Sequence, residues 1–163
     1  TTQLQVTGGP AAGRVLTSDA AGNATWQPVP PQTTTTGFAV GVGNNPTATT
    51  DFLSPFVTVT IAAGQKIVVT ANKAFGSTAA GGAAGLDLYI GYRVAGSGAT
   101  PSLLGGGIWN NQVPQNTRIT MGISGVITGL AAGTYEVGMA GDDDGNGNWN
   151  NNEYAYVSVI VLN

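Results

Sequence analysis

No stretch of this sequence keeps an apolar residue at every third or fourth position for long enough to make a helix, because Gly, Thr, Asn and β-branched residues interrupt each such run. Of 163 residues, 26 are Gly and 8 are Pro, and both are poor helix formers. An all-β chain is the expectation. Alternation of period two then locates the strands. Leu86, Leu88, Ile90, Tyr92 and Val94 point one way, with Asp87, Tyr89, Gly91 and Arg93 opposite. Val57, Val59 and Ile61 alternate with Thr58 and Thr60; Ile119, Met121 and Ile123 with Thr120, Gly122 and Ser124; Tyr135, Val137 and Met139 with Thr134, Glu136 and Gly138. Turn clusters separate them: Ala62-Ala63-Gly64-Gln65, Gly76 to Gly85, Gly96-Ser97-Gly98 and Ala131-Ala132-Gly133. Short strands joined by Gly-rich turns read as a sandwich or barrel.

The last strand differs. Ala155, Val157, Val159 and Val161 fill one face, and Tyr154, Tyr156, Ile160 and Leu162 fill most of the other. A strand apolar on both faces needs cover on both sides, and a sandwich supplies only one. A partner subunit is expected on the second face, with a covering loop as the alternative. Residues 1 to 33 have few large apolar residues, Leu4, Val6, Val15, Leu16, Trp26 and Val29, and cannot build a core alone. Arg14 to Asp19 and Ala24 to Gln27 are expected to pair as a hairpin around Ala20 to Asn23. Either this segment winds against copies of itself or it is disordered. Pro28, Pro30 and Pro31, followed by Thr33 to Thr36, read as a semi-rigid linker into a head domain spanning 34 to 163. The chain opens on Thr rather than Met, as expected of an excised or processed piece of a longer protein.

The run Gly13-Arg14-Val15-Leu16-Thr17-Ser18-Asp19-Ala20-Ala21-Gly22-Asn23-Ala24-Thr25-Trp26 resembles a short module that recurs in bacteriophage tail-fibre proteins and bacterial surface fibres just ahead of a terminal head. The remainder is similar in length, in strand pattern and in Gly133-Thr134-Tyr135 to the C1q and tumour-necrosis-factor type of jelly roll. The resemblance implies a compact homotrimer with the last strand in the inner sheet that lines the contact between subunits.

Composition removes many functions. There is no His and no Cys, so neither a Ser-His-Asp triad, a Cys nucleophile nor a zinc site of the usual kind can form. A net charge of -3 from five Lys plus Arg and eight Asp plus Glu argues against nucleic acid as a partner. No apolar run approaches the ~20 residues of a membrane helix. Gly105-Gly106-Gly107 and Gly81-Gly82 lack the Lys and following helix of a phosphate loop. Asn23-Ala24-Thr25 fits the N-glycosylation sequon, which matters only in a eukaryotic secretory route.

Two loops carry the chemistry that remains. Asp142 to Glu153 matches the calcium pattern D-x-[DN]-x-[DN]-G-x5-E at Asp142, Asp144, Asn146, Gly147 and Glu153. Calcium takes several oxygens from a tightly curled loop, and the expected ligands are Asp142, Asp144, Asn146, Glu153 and the main-chain oxygen of Asn148, with Asp143 facing solvent. The competing reading is a plain polar hairpin loop between strands. Carboxylates on one exposed loop do not form the opposed pair of a glycosidase, and the chain is expected not to be an enzyme. Trp109 beside Asn110 and Asn111, and Trp149 beside Asn150, suit sugar binding: a ring covers the apolar face of a pyranose and amides bond its hydroxyls. The functional expectation is a non-enzymatic fibre tip, on a virion or an extracellular surface, that binds a cell-surface glycan or protein receptor. Its rival is a purely structural virion or extracellular component without a specific ligand.

Overall fold

The computed structural model describes residues 13–29, 33–145 and 147–163. The chain divides into two compact units, Thr1–Gln32 and Thr33–Asn163. In the first, β1 (Arg14–Ser18) and β2 (Ala24–Pro28) pair antiparallel, as the sequence leads one to expect. Asp19 builds the turn between them. Its carboxylate accepts hydrogen bonds from the main-chain N–H groups of Ala21 and Asn23, both at 2.9 Å, and from the Asn23 side chain at 3.0 Å, which holds its pKa below the ordinary value. Gly22 supplies the positive φ of 84°. Leu4 and Val6 lie outside the described residues.

The second unit is a sandwich of two antiparallel sheets. In chain order its strands are β3 (Thr33–Gly41), β4 (Asp51–Phe52), β5 (Val57–Ile61), β6 (Lys66–Ser77), β7 (Ala83–Val94), β8 (Ser102–Leu103), β9 (Ile108–Val113), β10 (Thr117–Ile127), β11 (Gly133–Asp142) and β12 (Ala155–Leu162). A four-stranded sheet runs β10-β6-β12-β3; a six-stranded sheet runs β4-β11-β7-β8, with β5 also on β11 and β9 also on β7. The chain crosses between the sheets repeatedly, giving a jelly-roll-like all-β fold. Ile67, Val69, Phe75, Val157, Val159 and Val161 of one sheet meet Leu86, Leu88, Ile90, Val137 and Met139 of the other in a single buried cluster. These are the inward positions that alternation selects in β7, β11 and β12.

Two features depart from the sequence reading. Thr33 to Thr36 are not a linker but the start of β3, with Thr35 opposite Val161 and Thr36 opposite Ile160. Threonine is β-branched and suits a strand once a neighbour offers a hydrogen-bonding edge. The second is Lys73, an inward position of β6 that is fully buried. Its ammonium donates to the main-chain oxygens of Asn44 at 2.6 Å and Leu53 at 2.7 Å and lies 5.2 Å from the centre of the Phe75 ring. Burial lowers its pKa to about 8. The cation thus ties both ends of the loop from Asn44 to Leu53 to the sandwich.

The outer face of the four-stranded sheet is apolar and without charge at its centre. Across β10, β6, β12 and β3 the outward rows read Val126, Val68, Ile160, Thr36; then Ser124, Thr70, Ser158, Phe38; then Gly122, Asn72, Tyr156, Val40. Phe38 is 63% exposed, Tyr156 46% and Ile160 40%, and the rings of Phe38 and Tyr156 stand 6.4 Å apart. The second apolar face of β12 is therefore real, and no loop of the described residues covers it.

Candidate ligand-binding face on the six-stranded sheet

The outward side chains of β7, namely Asp87, Tyr89, Gly91 and Arg93, stand opposite Asp142, Ala140, Gly138 and Glu136 of β11. Two of these positions have no room for a side chain: a Cβ at Gly91 would sit 2.5 Å from the Ala140 Cβ and one at Gly138 2.9 Å from the Ser54 hydroxyl, with the Phe52 ring at 3.3 and 3.4 Å. Phe52 and Phe56 pack at 5.5 Å, and the Arg93 guanidinium covers both rings at 5.0 and 5.5 Å. Arg93 is locked. It donates to Glu136 at 2.6 Å and to the Ala99 main-chain oxygen at 2.9 Å, and Glu136 also accepts the Gly96 N–H at 3.0 Å. That N–H and the guanidinium hold the Glu136 carboxyl below the usual range. Beside Arg93 opens a cavity of about 220 Å³ whose walls include Thr47, Thr49, Thr50, Asp51 and Thr100.

The other end of the face carries the aromatic platform. Carboxylate oxygens of Asp87, Asp142 and Asp144 lie within 4.8 Å of one another. Asp142 accepts the Thr50 hydroxyl at 2.5 Å and Asp87 accepts the Asn110 N–H at 2.7 Å. Asn110 has a φ of 52°, where the register of β7 against β9 shifts; such irregularities re-aim neighbouring side chains. Trp109 is thereby left 65% exposed. Its indole nitrogen and the Tyr89 ring crowd the same spot, since a Cβ at Gly107 would meet them at 2.7 and 2.5 Å. Burial first, then the Asp87 charge, raises the Tyr89 pKa.

Only part of the expected site residues meet here. Trp109 and Asn110 do. Asn111 spends both amide hydrogens on the main-chain oxygens of Leu86 at 2.8 Å and Ile108 at 2.9 Å, bracing the bulge. Trp149 is not a surface ring: it is 1% exposed, packs edge-on against Phe75 at 6.1 Å and donates to the Ala84 main-chain oxygen at 3.1 Å. It plugs one end of the sandwich, because an indole with its N–H satisfied is worth more inside than on a polar loop. Asn150 uses its side-chain oxygen on the Thr78 N–H at 2.8 Å and the Thr78 hydroxyl at 3.1 Å.

The calcium set is likewise taken apart. Asp143, expected in solvent, is fully buried and accepts the N–H groups of Gly145 at 2.9 Å and Gly147 at 2.8 Å, so the loop curls around its carboxylate. Glu153 pairs with Arg118. The Asn148 main-chain oxygen accepts the Asn150 N–H at 3.0 Å, and Asn146 lies outside the described residues. Asp142 and Asp144 do meet, joined by Asp87 from β7. Sequence reasoning missed Asp87, Tyr89, Thr50 and Arg93 as site residues; three of them were visible as the polar side of the Leu86 to Val94 alternation.

No family model matches the chain, and no curated protein matches it. Among solved structures it is similar to a chain of one described as "Structure of infectious bursal disease virus Gx strain", with a TM-score of 0.38 and 14% identity, covering 93% of this chain and 37% of that one.

Proposed function

We propose that this chain is the head of a homotrimeric fibre of the C1q/TNF-like jelly-roll kind, carried on a virion tail fibre or a bacterial or other extracellular fibre, and that it attaches without catalysis to a cell-surface glycan. The observation that carries this reading is the outer face of the four-stranded sheet, whose centre carries no charge and leaves Phe38, Val40, Tyr156 and Ile160 in solvent. Contiguous exposed apolar surface of this sort marks an interaction site. The strand order supports the same reading, since β12 lies between β6 and β3, in the sheet that the resemblance assigns to the subunit contact. The hairpin adds to it: Val15 and Leu16 are exposed, the Trp26 indole N–H finds no acceptor among the described residues, and a lone hairpin is marginal in water. Winding against copies would satisfy all three.

With one sheet face given to assembly, the other faces the receptor, and Trp109 is its most exposed large ring. Attachment to host cells or to a glycan array is the test. Trp109→Ala is expected to lose attachment while keeping the oligomer and its melting temperature. Undiminished attachment by the variant would move the site elsewhere, and absence of any ligand in the unaltered protein would favour the purely structural role.

A further inference from the structure

The outer face of the four-stranded sheet is unevenly filled on the two sides of its midline, which runs between β6 and β12. On the side of β12 and β3, the rings of Phe38 and Tyr156 stand up beside Val40 as an exposed ridge. On the side of β6 and β10 lies a hollow of about 280 Å³, walled by Thr70, Ala71, Asn72, Gly122, Ile123 and Ser124. Ridge and hollow share the same rows. Gly122, Asn72, Tyr156 and Val40 make one, and Ser124, Thr70, Ser158 and Phe38 make the next. At about 4.8 Å per strand, their centres are two spacings apart, about 10 Å. A ridge fixed beside its own hollow cannot fill it, but the ridge of a second copy can.

Resting on the trimer proposed above, we infer that the ridge of each copy seats in the hollow of the next, closing a three-membered ring about an axis parallel to the strands. Rotation about such an axis keeps every residue at its own height along the strands, and it turns the half formed by β12 and β3 toward the neighbour's half formed by β6 and β10. Rows therefore meet their own counterparts. The outermost strands oppose Phe38 to Ser124 and Val40 to Gly122, and the inner ones oppose Tyr156 to Asn72 and Ile160 to Val68. Large meets small in the first three pairs, which is how facing layers interdigitate without voids. The fourth pair is apolar on both sides and gains by leaving water. The Tyr156 hydroxyl and the Asn72 amide each donate and accept, so they suit one another. Ridge against ridge would leave both hollows empty and forfeit their contacts. A contact between two different patches is also what a closed ring requires.

The chain has no Cys, so introduced thiols report the contact directly. Val40→Cys and Gly122→Cys on one full-length chain lie three strand spacings apart, about 14 Å, and a bismaleimide shorter than that joins them only between copies. The double variant is expected to give covalent trimers on a denaturing gel, and each single variant to give no covalent product. Gly122→Leu fills the hollow. The strand itself accepts a side chain there, since a Cβ at Gly122 would find the Ala71 oxygen and the Asn72 Cβ at 3.6 Å. This variant is expected to keep its fold by circular dichroism and to associate about tenfold or more weakly by sedimentation. Where light scattering still gives three chains, a product from Val40→Cys alone, no product from the double variant, or undiminished association of Gly122→Leu overturns the seating of ridge in hollow and leaves the trimer standing. A mass of one chain without covalent product overturns both. A mass of two chains, with products that stop at two, overturns the ring together with the trimer.

Discussion

The two outer faces of the sandwich are built from the same period-two strands and end up opposite in character. On the four-stranded sheet, the three central outward rows of β10, β6, β12 and β3 carry Val, Ile, Phe and Tyr diluted by Thr, Ser, Asn and Gly, with Lys66 and Arg118 only at the ends. On the six-stranded sheet, the outward row of β7 and β11 carries Asp87, Tyr89, Arg93, Asp142 and Glu136, and loops lie across it, with Phe52 seated on Gly91 and Gly138. A face whose centre is uncharged and exposes Phe, Tyr, Val and Ile gains from being buried against another surface. A face of carboxylates around one exposed ring would lose by such burial, and keeps its water until a polar ligand replaces it. On the proposed reading, the contrast assigns assembly to one face and recognition to the other.

The largest effect expected comes from moving charge onto the apolar face. Ile160→Asp is expected to cost several kcal/mol per contact, because it leaves a buried unpaired carboxylate at the interface, and sedimentation is expected to show single chains of 16.3 kDa. The matched change Thr100→Asp, on the opposite face, is expected to leave the sedimentation coefficient unaltered. Next in size is the comparison of the two tryptophans. Trp149→Ala removes a fully buried indole and is expected to cost about 3–5 kcal/mol in denaturant unfolding, whereas Trp109→Ala is expected to stay within about 0.5 kcal/mol.

Why one tryptophan is buried and the other free was not legible in the sequence. Both sit beside asparagines, in Ile108-Trp109-Asn110-Asn111 and Asn148-Trp149-Asn150. The difference lies in long-range partners: the Ala84 oxygen and the Phe75 ring for Trp149, and the Asn150, Asn151 and Asn152 bonds to Thr78 and Gly76 that turn its loop inward. Strands β5, β7, β11 and β12 were legible because each alternates cleanly. Strand β6 was obscured, since the inward Lys73 breaks its apolar pattern, and only the Asn44 and Leu53 oxygens make that burial tolerable. Within the calcium pattern the spacing brings Asp142 and Asp144 together, while long-range and local partners were not legible: Glu153 pairs with Arg118 and Asp143 accepts the loop's own N–H groups.

Smaller effects follow from pH. Glu136, on the six-stranded face, has its folded pKa depressed by the Gly96 N–H and Arg93. The stability it contributes is present above the unfolded pKa and is lost as pH falls through the folded one; Glu136→Gln is expected to flatten that acid limb of the unfolding midpoint. Lys73 gives a slope of the same sign at the other end of the scale. Its folded pKa of about 8 lies below the ordinary 10.5, so between these values the unfolded chain binds more protons and stability rises with pH. Midpoints measured at pH 7.5 and 9.5 are expected to show that rise, and Lys73→Met to remove it. The smallest effect is at the acidic cluster, where Asp144→Asn relieves like-charge crowding and is expected to raise stability by a few tenths of a kcal/mol.

The central claim is that the four-stranded face is covered by copies of the same chain. Light scattering on the unaltered protein across micromolar concentrations tests it directly. The account predicts a molar mass about three times the 16.3 kDa of one chain; a concentration-independent 16.3 kDa species would contradict it.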